Sequence, residues 1–388
     1  MKMVISTEKR PIKLWLDDME EGALAQAKNL ANLPFLHKWV AIMPDSHQGY
    51  GMPIGGVIAT EGVIIPNAVG VDIGCGMSVI KLPLTVEEIS SELEYIVGRI
   101  RETIPVGFNR HEEMQGESWM PDKDISDTWI IKDQYESART QVGTLGGGNH
   151  FIELQADEND IVHLMIHSGS RNLGYKVAKH YNDLAKKMNA LWFTSVPKEH
   201  DLAFLPIGTK EAGKYIEEMK YCVEFAKCNR EHMSGHILSI LMDFFGNKEF
   251  SLSSEINIAH NYATMENHFG KNVWVHRKGA TSAKEGELGI IPGSQGTKSY
   301  IVRGKGNKDS FMSCSHGAGR TMGRKQAKRE LNLEEEQAKL EGILHSVRGV
   351  NDLDEATGAY KDINVVMGNQ VDLVDIVTEL RPLAVVKG

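Results

Sequence analysis

Cysteine is scarce in this chain, with four in 388 residues: Cys75, Cys222, Cys228 and Cys314. That is too sparse to staple a fold of this size, which excludes a disulfide scaffold. Long apolar runs are missing as well. No stretch approaches the ~18 consecutive apolar residues a membrane span needs. The opening "MKMVISTEKRPIKLW" has no apolar core of the kind a signal peptide carries, so a cytoplasmic protein is predicted. Positive charge is not in excess either. The net charge of -9 argues against a surface coated in cations for nucleic acid. No repeat, low-complexity tract or clear linker divides the chain, and one α+β domain over residues 1–388 is expected. With 41% hydrophobic and 24% charged residues, the composition is that of a soluble globular protein with ample core.

The average charge conceals a local reversal. Residues 271–325 carry eleven Lys/Arg and three Asp/Glu, a net of +8 that leaves -17 for the remainder. Solvated loops produce such blocks about as often as phosphate sites do. Valine and isoleucine runs between turn residues predict strands over the first ~85 residues, and again in "HFIELQ" and "DIVHLMIHSGS". A helix is predicted over 85–104, capped by Thr85 with Ile89, Leu93, Ile96 and Ile100 on one face. Residues 107–127 read as a polar loop. The region of about 175–245 is mainly helical, with an apolar stripe through Tyr215, Met219, Cys222 and Ala226, then Met233, Ile237 and Leu241. Cys222 and Cys228 share no face well and are expected to be core or surface thiols. "LNLEEEQAKLEGI" predicts a short helix, and "VDLVDIVTELRPLAVVKG" a helix followed by a strand.

Five residues have neighbours suited to chemistry. "GVDIGCGM" places Asp72 and Cys75 three apart among glycines, where a tight turn can aim a carboxylate and a thiolate at one centre. "GTLGGGNHFIEL" delivers Asn149 and His150 from a glycine-rich loop into a strand. Such a loop can form an anion-binding concavity, although it matches neither the P-loop nor the dinucleotide fingerprint. Alternation puts His150 and Ile152 on one face and Asn149, Phe151 and Glu153 on the other. "MIHSGSRNLG" holds His167 at a strand end before hydroxyls and Arg171, donors suited to phosphate. "INIAHNYAT" presents His260 with Asn261. Each segment taken alone has an ordinary structural reading. Together Asp72, Cys75, His150, His167 and His260 are enough for a two-metal centre bridged by sulfur, and ligand softness alone points to zinc.

The segments "MPDSHQGYGMPIGG", "GVDIGCGM", "GTLGGGNHFIEL", "MIHSGSR", "AHN", "HRKGAT", "SCSHGAGR" and the terminal "RPLAVVKG" resemble the RNA-splicing ligase RtcB family. They follow that family's order over nearly the whole chain. The resemblance implies mixed β-sheets around a metal and GTP site, with a helical insertion at about 175–245. It implies a ligase dependent on GTP and two Mn²⁺ ions that joins RNA 3′-phosphate or 2′,3′-cyclic phosphate ends to 5′-hydroxyl ends. Manganese then replaces the zinc that softness suggested, since availability rather than affinity selects the metal in such a site.

Carried over position by position, the five residues become metal ligands and His316 becomes the nucleophile toward the GTP α-phosphate. The nucleotide pocket would draw on Asn149, His150, Phe151, Ile152, Glu153, Asn261, Pro292, Gly293, Ser294, Gln295, Ser299, His316, Gly317, Ala318, Gly319 and Lys387. Tyr360 would border the base. Asp45 would either handle a proton or cap a turn, and Gly317 to Gly319 would be small so that a purine can lie against backbone. Arg171, Lys278 and Arg320 are expected on RNA phosphates. An archease-type accessory protein is a possible partner, and no membrane is involved. Asn172, Tyr175, Gln295 and Gly323 depart from the family's pattern, which suggests a branch devoted to repair of damaged RNA rather than tRNA splicing. The alternative reading is a metal-dependent phosphoesterase that opens cyclic phosphates without sealing; it would not need His316, Glu153 or Lys387.

Overall fold

The computed structural model describes residues 1–246, 248–252 and 255–388. Runs of β-branched residues between glycine turns form strands, where branched side chains pack well on a pleated surface. A six-stranded sheet takes the spatial order Met3–Ile5, Ile12–Leu14, Leu36–His47, Ile54–Thr60, Lys271–Lys278 and Asn261–His268. Its strands pair antiparallel except Ile12–Leu14 beside Leu36–His47. A seven-stranded antiparallel sheet takes the order Ile256–Ala259, Gly76–Thr85, Ile161–Ser168, Phe151–Ala156, Val374–Lys387, Ser299–Gly304 and Leu288–Ile291. With the helices described next, this is the α+β class expected from sequence.

Register in the second sheet decides where the chemistry collects. Gly76 lies opposite both Ala259 and Ser168. Phe151 lies opposite both His167 and Lys387. One end of five neighbouring strands therefore gathers the residues beside Cys75, His150, His167, His260 and Lys387.

Helices Leu93–Thr103 and Lys210–Phe245 cover one face of this sheet, where Ile80, Ile152, Leu154 and Ile166 pack with Ile96, Ile100, Ile237 and Leu241. The predicted helix over 85–104 is split. Thr85 forms a capping box with Glu88, the first helix ends at Ser90, and the second begins at Leu93. Ser90 Oγ donates to the Val86 carbonyl at 2.5 Å, a local bond that competes with continued helix. The helical region resolves into Arg171–Leu191 and Lys210–Phe245, with Cys222 buried and Cys228 partly so. The C-terminus corrects the sequence reading: Val374–Lys387 is strand throughout, and the nearby helix is Ile363–Gly368. Pairing on both sides, with Ser299–Gly304 and Phe151–Ala156, outweighs the weak helical pattern.

The long helix also supports the loops at the chemical end of the sheet. Asn229 Oδ1 accepts from the Gly143 and Thr144 amides at 2.7 and 3.1 Å, and its Nδ2 faces Thr144 O, Ser168 Oγ and Gly169 O, each at 3.1 Å. Arg230, buried in full, donates to Asn257 Oδ1 and to the carbonyls of Gly74 and Ser168.

A buried ion pair fastens the first sheet to the ribbon that precedes His316. Arg277 reaches Glu266 through two bonds of 2.6 and 3.2 Å, and also meets Ser313 Oγ and Phe311 O. Burial alone would raise the Glu266 pKa. The hydrogen bond from His268 and the Arg277 guanidinium outweigh burial and hold it at about 2, against 4.5 for an ordinary glutamate. A depressed folded pKa means the stabilisation is present above the unfolded value and is lost as pH falls through the folded one. Glu266→Gln should therefore cost about 3 kcal/mol near neutral pH. In urea melts, the gap from wild type should close as pH drops from about 4.5 toward 2. A gap that stays constant over that window would refute the linkage.

Candidate functional site

Four of the five candidate ligands sit at strand ends. Cys75 precedes Gly76–Thr85, His150 precedes Phe151–Ala156, His167 lies near the end of Ile161–Ser168, and His260 joins Ile256–Ala259 to Asn261–His268. Asp72 occupies the turn before Cys75, whose amide donates to the Asp72 carbonyl at 3.1 Å. Cys75 Sγ lies 3.4 Å from His150 Nε2 and 3.3 Å from His167 Nε2, and Asp72 Oδ2 is 3.2 Å from His150 Nε2. The ligand atoms of Cys75, His167 and His260 all fall within 4.8 Å of one another, as do those of Asp72, Cys75 and His150. Two triads thus share one sulfur. This donor set suits a pair of divalent ions bridged by thiolate.

Burial sets the protonation of this cluster. It lowers the pKa of His167 and His260 well below the usual value, and neighbouring imidazoles and Arg230 lower them further. Their lone pairs are therefore free at neutral pH. Burial, reinforced by the Asp72 carboxylate, raises the Cys75 thiol well above its usual range. Burial opposes ionisation of Asp72, but the hydrogen bond and charge of His150, with Arg171, keep it below the normal carboxyl range. His150 Nδ1 donates to the Leu145 carbonyl at 3.0 Å, which points Nε2 at the cluster. His260 Nδ1 is enclosed with no hydrogen-bond partner.

His316 follows the strand Ser313–Ser315, and its ring centre lies 4.7 Å from that of His260. Its Nδ1 donates to Asp45 Oδ2 at 2.6 Å, and the same oxygen accepts the backbone amides of His316 (3.0 Å) and Gly317 (3.3 Å). Asp45 is wholly buried, with Lys361 holding the flanking carbonyls of Pro44 and Ser46. Asp45 thus caps the turn at His316 and Gly317, one of its two sequence expectations, and the same oxygen also holds the His316 ring through Nδ1. Gly319 explains part of the small-residue run differently from a purine bed. At φ 75° a Cβ there would lie 2.0 Å from the Asp45 carbonyl, so the close approach of the two segments requires glycine. Gly317 has only Pro292 nearby and stays open to the cavity.

A cavity of about 230 Å³ joins these groups. Asp72, Cys75, His167, His260 and His316 line one part of it; Asn149, Phe151, Glu153, Asn261, Pro292 to Gln295, Gly317 to Gly319, Tyr360 and Lys387 line the rest. Asn149, Phe151 and Glu153 share the cavity side, as alternation predicted, and Ile152 turns into the core. Ser299 corrects its expectation: it is buried behind the wall, its hydroxyl accepting from the Gly293 amide and Gln155 Nε2. Asn261 braces the site by donating to Asp72 O and accepting from the Gly279 amide.

The expected RNA cations are placed otherwise. Lys278 is 4% exposed, with Nζ donating to the carbonyls of Tyr50 and Asn67, and burial lowers its pKa to about 7. It ties the loop at Tyr50 to the short helix Pro66–Val69, and its ammonium is spent on those two carbonyls. Arg171 packs behind His150, with Nη1 3.2 Å from Nδ1 and Nε 3.3 Å from Thr144 Oγ1. Arg320 does line the cavity, held by Glu355 Oε1 at 3.1 Å and stacked on Tyr360.

Glu355 is the residue that sequence reading missed. It is nearly buried and gathers Arg320, Arg324 Nε (2.9 Å), the Tyr360 hydroxyl and Lys387 Nζ (3.7 Å). No motif surrounds it in "NDLDEATGAY", so only the fold reveals it. His47 was within a quoted segment and also lines the cavity, its pKa lowered to about 4 by burial. Of the family departures, Gln295 donates to the Glu355 carbonyl, Asn172 pairs through its amide with Gln141, Tyr175 is exposed, and Gly323 starts helix Arg324–Glu330.

Residues 26–388 match the family model for RtcB, described as tRNA-splicing ligase RtcB. The chain is 39% identical to the RNA-splicing ligase RtcB of Escherichia coli K12 over 99% of both chains. It is 32% identical to the tRNA-splicing ligase RtcB of Pyrobaculum aerophilum, covering 98% of this chain and 95% of that protein. The corresponding protein of Thermococcus kodakarensis is 31% identical over 97% and 95%.

Glu153 offers a direct check on how dry the cavity is. Burial raises its pKa to about 8, opposed by the hydrogen bond from Gln155 and the charge of Lys387. In the ligand-free protein, infrared spectra should show a protonated carboxyl band that disappears with a midpoint near 8 and is missing from Glu153→Gln. A midpoint in the ordinary carboxylate range of about 4 to 5 would mean that water reaches the group freely.

Proposed function

The chain belongs to the RtcB family of RNA ligases, and from that premise we propose a ligase that uses GTP and Mn²⁺ to join RNA 3′-phosphate or 2′,3′-cyclic phosphate ends to 5′-hydroxyl ends. One observation carries the reading: two ligand triads sharing Cys75 open into the same cavity as an Asp45-oriented His316, Glu153 and Lys387. The orphaned His260 Nδ1 and the mixed thiolate, imidazole and carboxylate donors fit a pair of ions. Asp72, Cys75, His150, His167 and His260 would hold two Mn²⁺, which would neutralise phosphate charge and polarise phosphoryl oxygen.

The protein's own groups do the rest. Asp45 keeps the proton on Nδ1, so Nε2 of His316 carries the lone pair that attacks the α-phosphorus of GTP. A P–N bond forms and pyrophosphate leaves. A cyclic end is first hydrolysed to a 3′-phosphate. An oxygen of that phosphate then takes GMP from His316, with cleavage of the P–N bond, and the 5′-hydroxyl attacks the activated phosphorus to expel GMP. Glu153 would accept two parallel N–H bonds from guanine, a pattern adenine lacks. Phe151 and Tyr360 would border the base, and Lys387 and Arg320 would face phosphate. The wall formed by Asn149, Pro292 to Gln295 and Gly317 to Gly319 would shape the nucleotide pocket, with Ser299 behind it. RNA phosphates would then meet Arg171 and Arg320 rather than the buried Lys278. The chain is read as one domain over 1–388, acting in the cytoplasm in tRNA splicing or RNA repair, with an archease-type accessory protein as a further possible partner.

Incubation with α-labelled GTP and Mn²⁺ tests the mechanism. Wild type should acquire acid-labile, alkali-stable label and His316→Ala none. Unlabelled wild type with its metal loaded would sink the ligase mechanism in favour of a phosphoesterase. Asp45→Asn should lower the labelling rate by about 10²- to 10⁴-fold, because the amide cannot hold the required tautomer. Its metal content should match wild type. Unchanged labelling would remove Asp45 from the mechanism.

A further inference from the structure

A second group of imidazoles meets away from the cavity. His232 and His236 lie one turn apart on helix Lys210–Phe245, with their Nε2 atoms 3.1 Å from each other. Two imidazoles bound to one ion at ~2.0–2.1 Å each, at an angle near tetrahedral, present about that separation. His111 reaches the pair from the 107–127 loop, its ring centre 6.3 Å from His232 and 6.5 Å from His236, while the pair itself is 4.5 Å apart. Tetrahedral imidazole coordination sets ring centres about 5 Å apart, so closure asks His111 to approach by about 1 Å.

The surroundings favour an occupant. His111 Nε2 is enclosed with no hydrogen-bond partner, an uncommon state for a buried polar atom. Trp119 stacks on His232 at 4.3 Å and fixes its ring. Gly143 makes room on the other side, since a Cβ at its φ of 80° would fall 2.4 Å from His232 Nδ1. Burial lowers the pKa of all three histidines, His232 to about 4, so each is neutral at physiological pH. A surface groove beside His111, lined by Arg110, Glu112 and Glu136, provides an approach from solvent.

We propose that His111, His232 and His236 form a separate site for a zinc-class divalent ion, with water as the fourth ligand. An all-imidazole set binds zinc, nickel or copper far more readily than manganese, which distinguishes it from the cluster around Cys75. Binding uses both Nε2 lone pairs, so the histidine that carries its proton on Nε2 in the free pair changes to its Nδ1–H tautomer, with no net proton released. The ion clips the 107–127 loop to the long helix, at the foot of the glycine-rich loop that carries His150. The inference stands independently of the ligase reading.

Equilibrium dialysis of the intact chain against zinc tests it. Wild type should retain one more equivalent per chain than His111→Ala or His236→Ala, and zinc should raise Tm in wild type but leave both variants unmoved. Equal zinc content in all three proteins overturns the site. Alanine is the best helix former, so His236→Ala should keep its fold, as a melt without metal would verify. Should both variants fail to fold, zinc titration of a variant with Asp72, Cys75, His150, His167 and His260 all replaced by alanine decides. One tight equivalent with an all-nitrogen/oxygen X-ray absorption shell supports the trio, and none overturns it.

Discussion

The antiparallel register of the seven-stranded sheet is the constraint on which the site depends. With Gly76 opposite Ser168 and Ala259, and Phe151 opposite His167 and Lys387, five strand ends share one edge. A slip of one residue would turn Glu153 into the core and Ile152 into the cavity, because side chains alternate. The hydrophobic face packed on helices Leu93–Thr103 and Lys210–Phe245 forbids that slip. Packing on that face therefore fixes which residues, Phe151 and Glu153 among them, point the other way.

The second sheet alone leaves the site incomplete. Asp45 comes from the first sheet, and its Oδ2 accepts three donors from the segment that begins at His316. Arg277, paired with Glu266, fixes the ribbon leading into that segment. The cavity lies where the two sheets meet, as expected for a site that needs ion ligands from one scaffold and an oriented imidazole from another. Beneath it, Asn229 and Arg230 satisfy loop carbonyls and amides that would otherwise be buried unpaired.

Legibility varied with the kind of interaction. Strands such as Phe151–Ala156 and the capped start at Thr85 follow from local patterns, and so does the cavity-facing side of Asn149, Phe151 and Glu153. The C-terminal strand did not, because its conformation comes from partners on both sides rather than from its own residues. The burial of Lys278 was hidden for a related reason. A cation in a basic segment looks available until the fold buries it against carbonyls. Glu355 was invisible because its importance rests on four partners 5 to 35 residues away along the chain.

Residue types and their order were enough to identify the family and to single out five candidate donors and His316, since ligand chemistry resides in the side chains themselves. Local periodicity was enough for most strands and helices, because the 2.0 and 3.6 repeats are properties of the backbone. Tertiary structure alone decided that the five donors form two triads around one sulfur. It also decided that Asp45 orients His316, that Ser299 stands behind the wall, and that three other histidines meet on a different face. Distances of about 3 Å between residues 75 to 271 positions apart depend on register and packing, which no local segment contains.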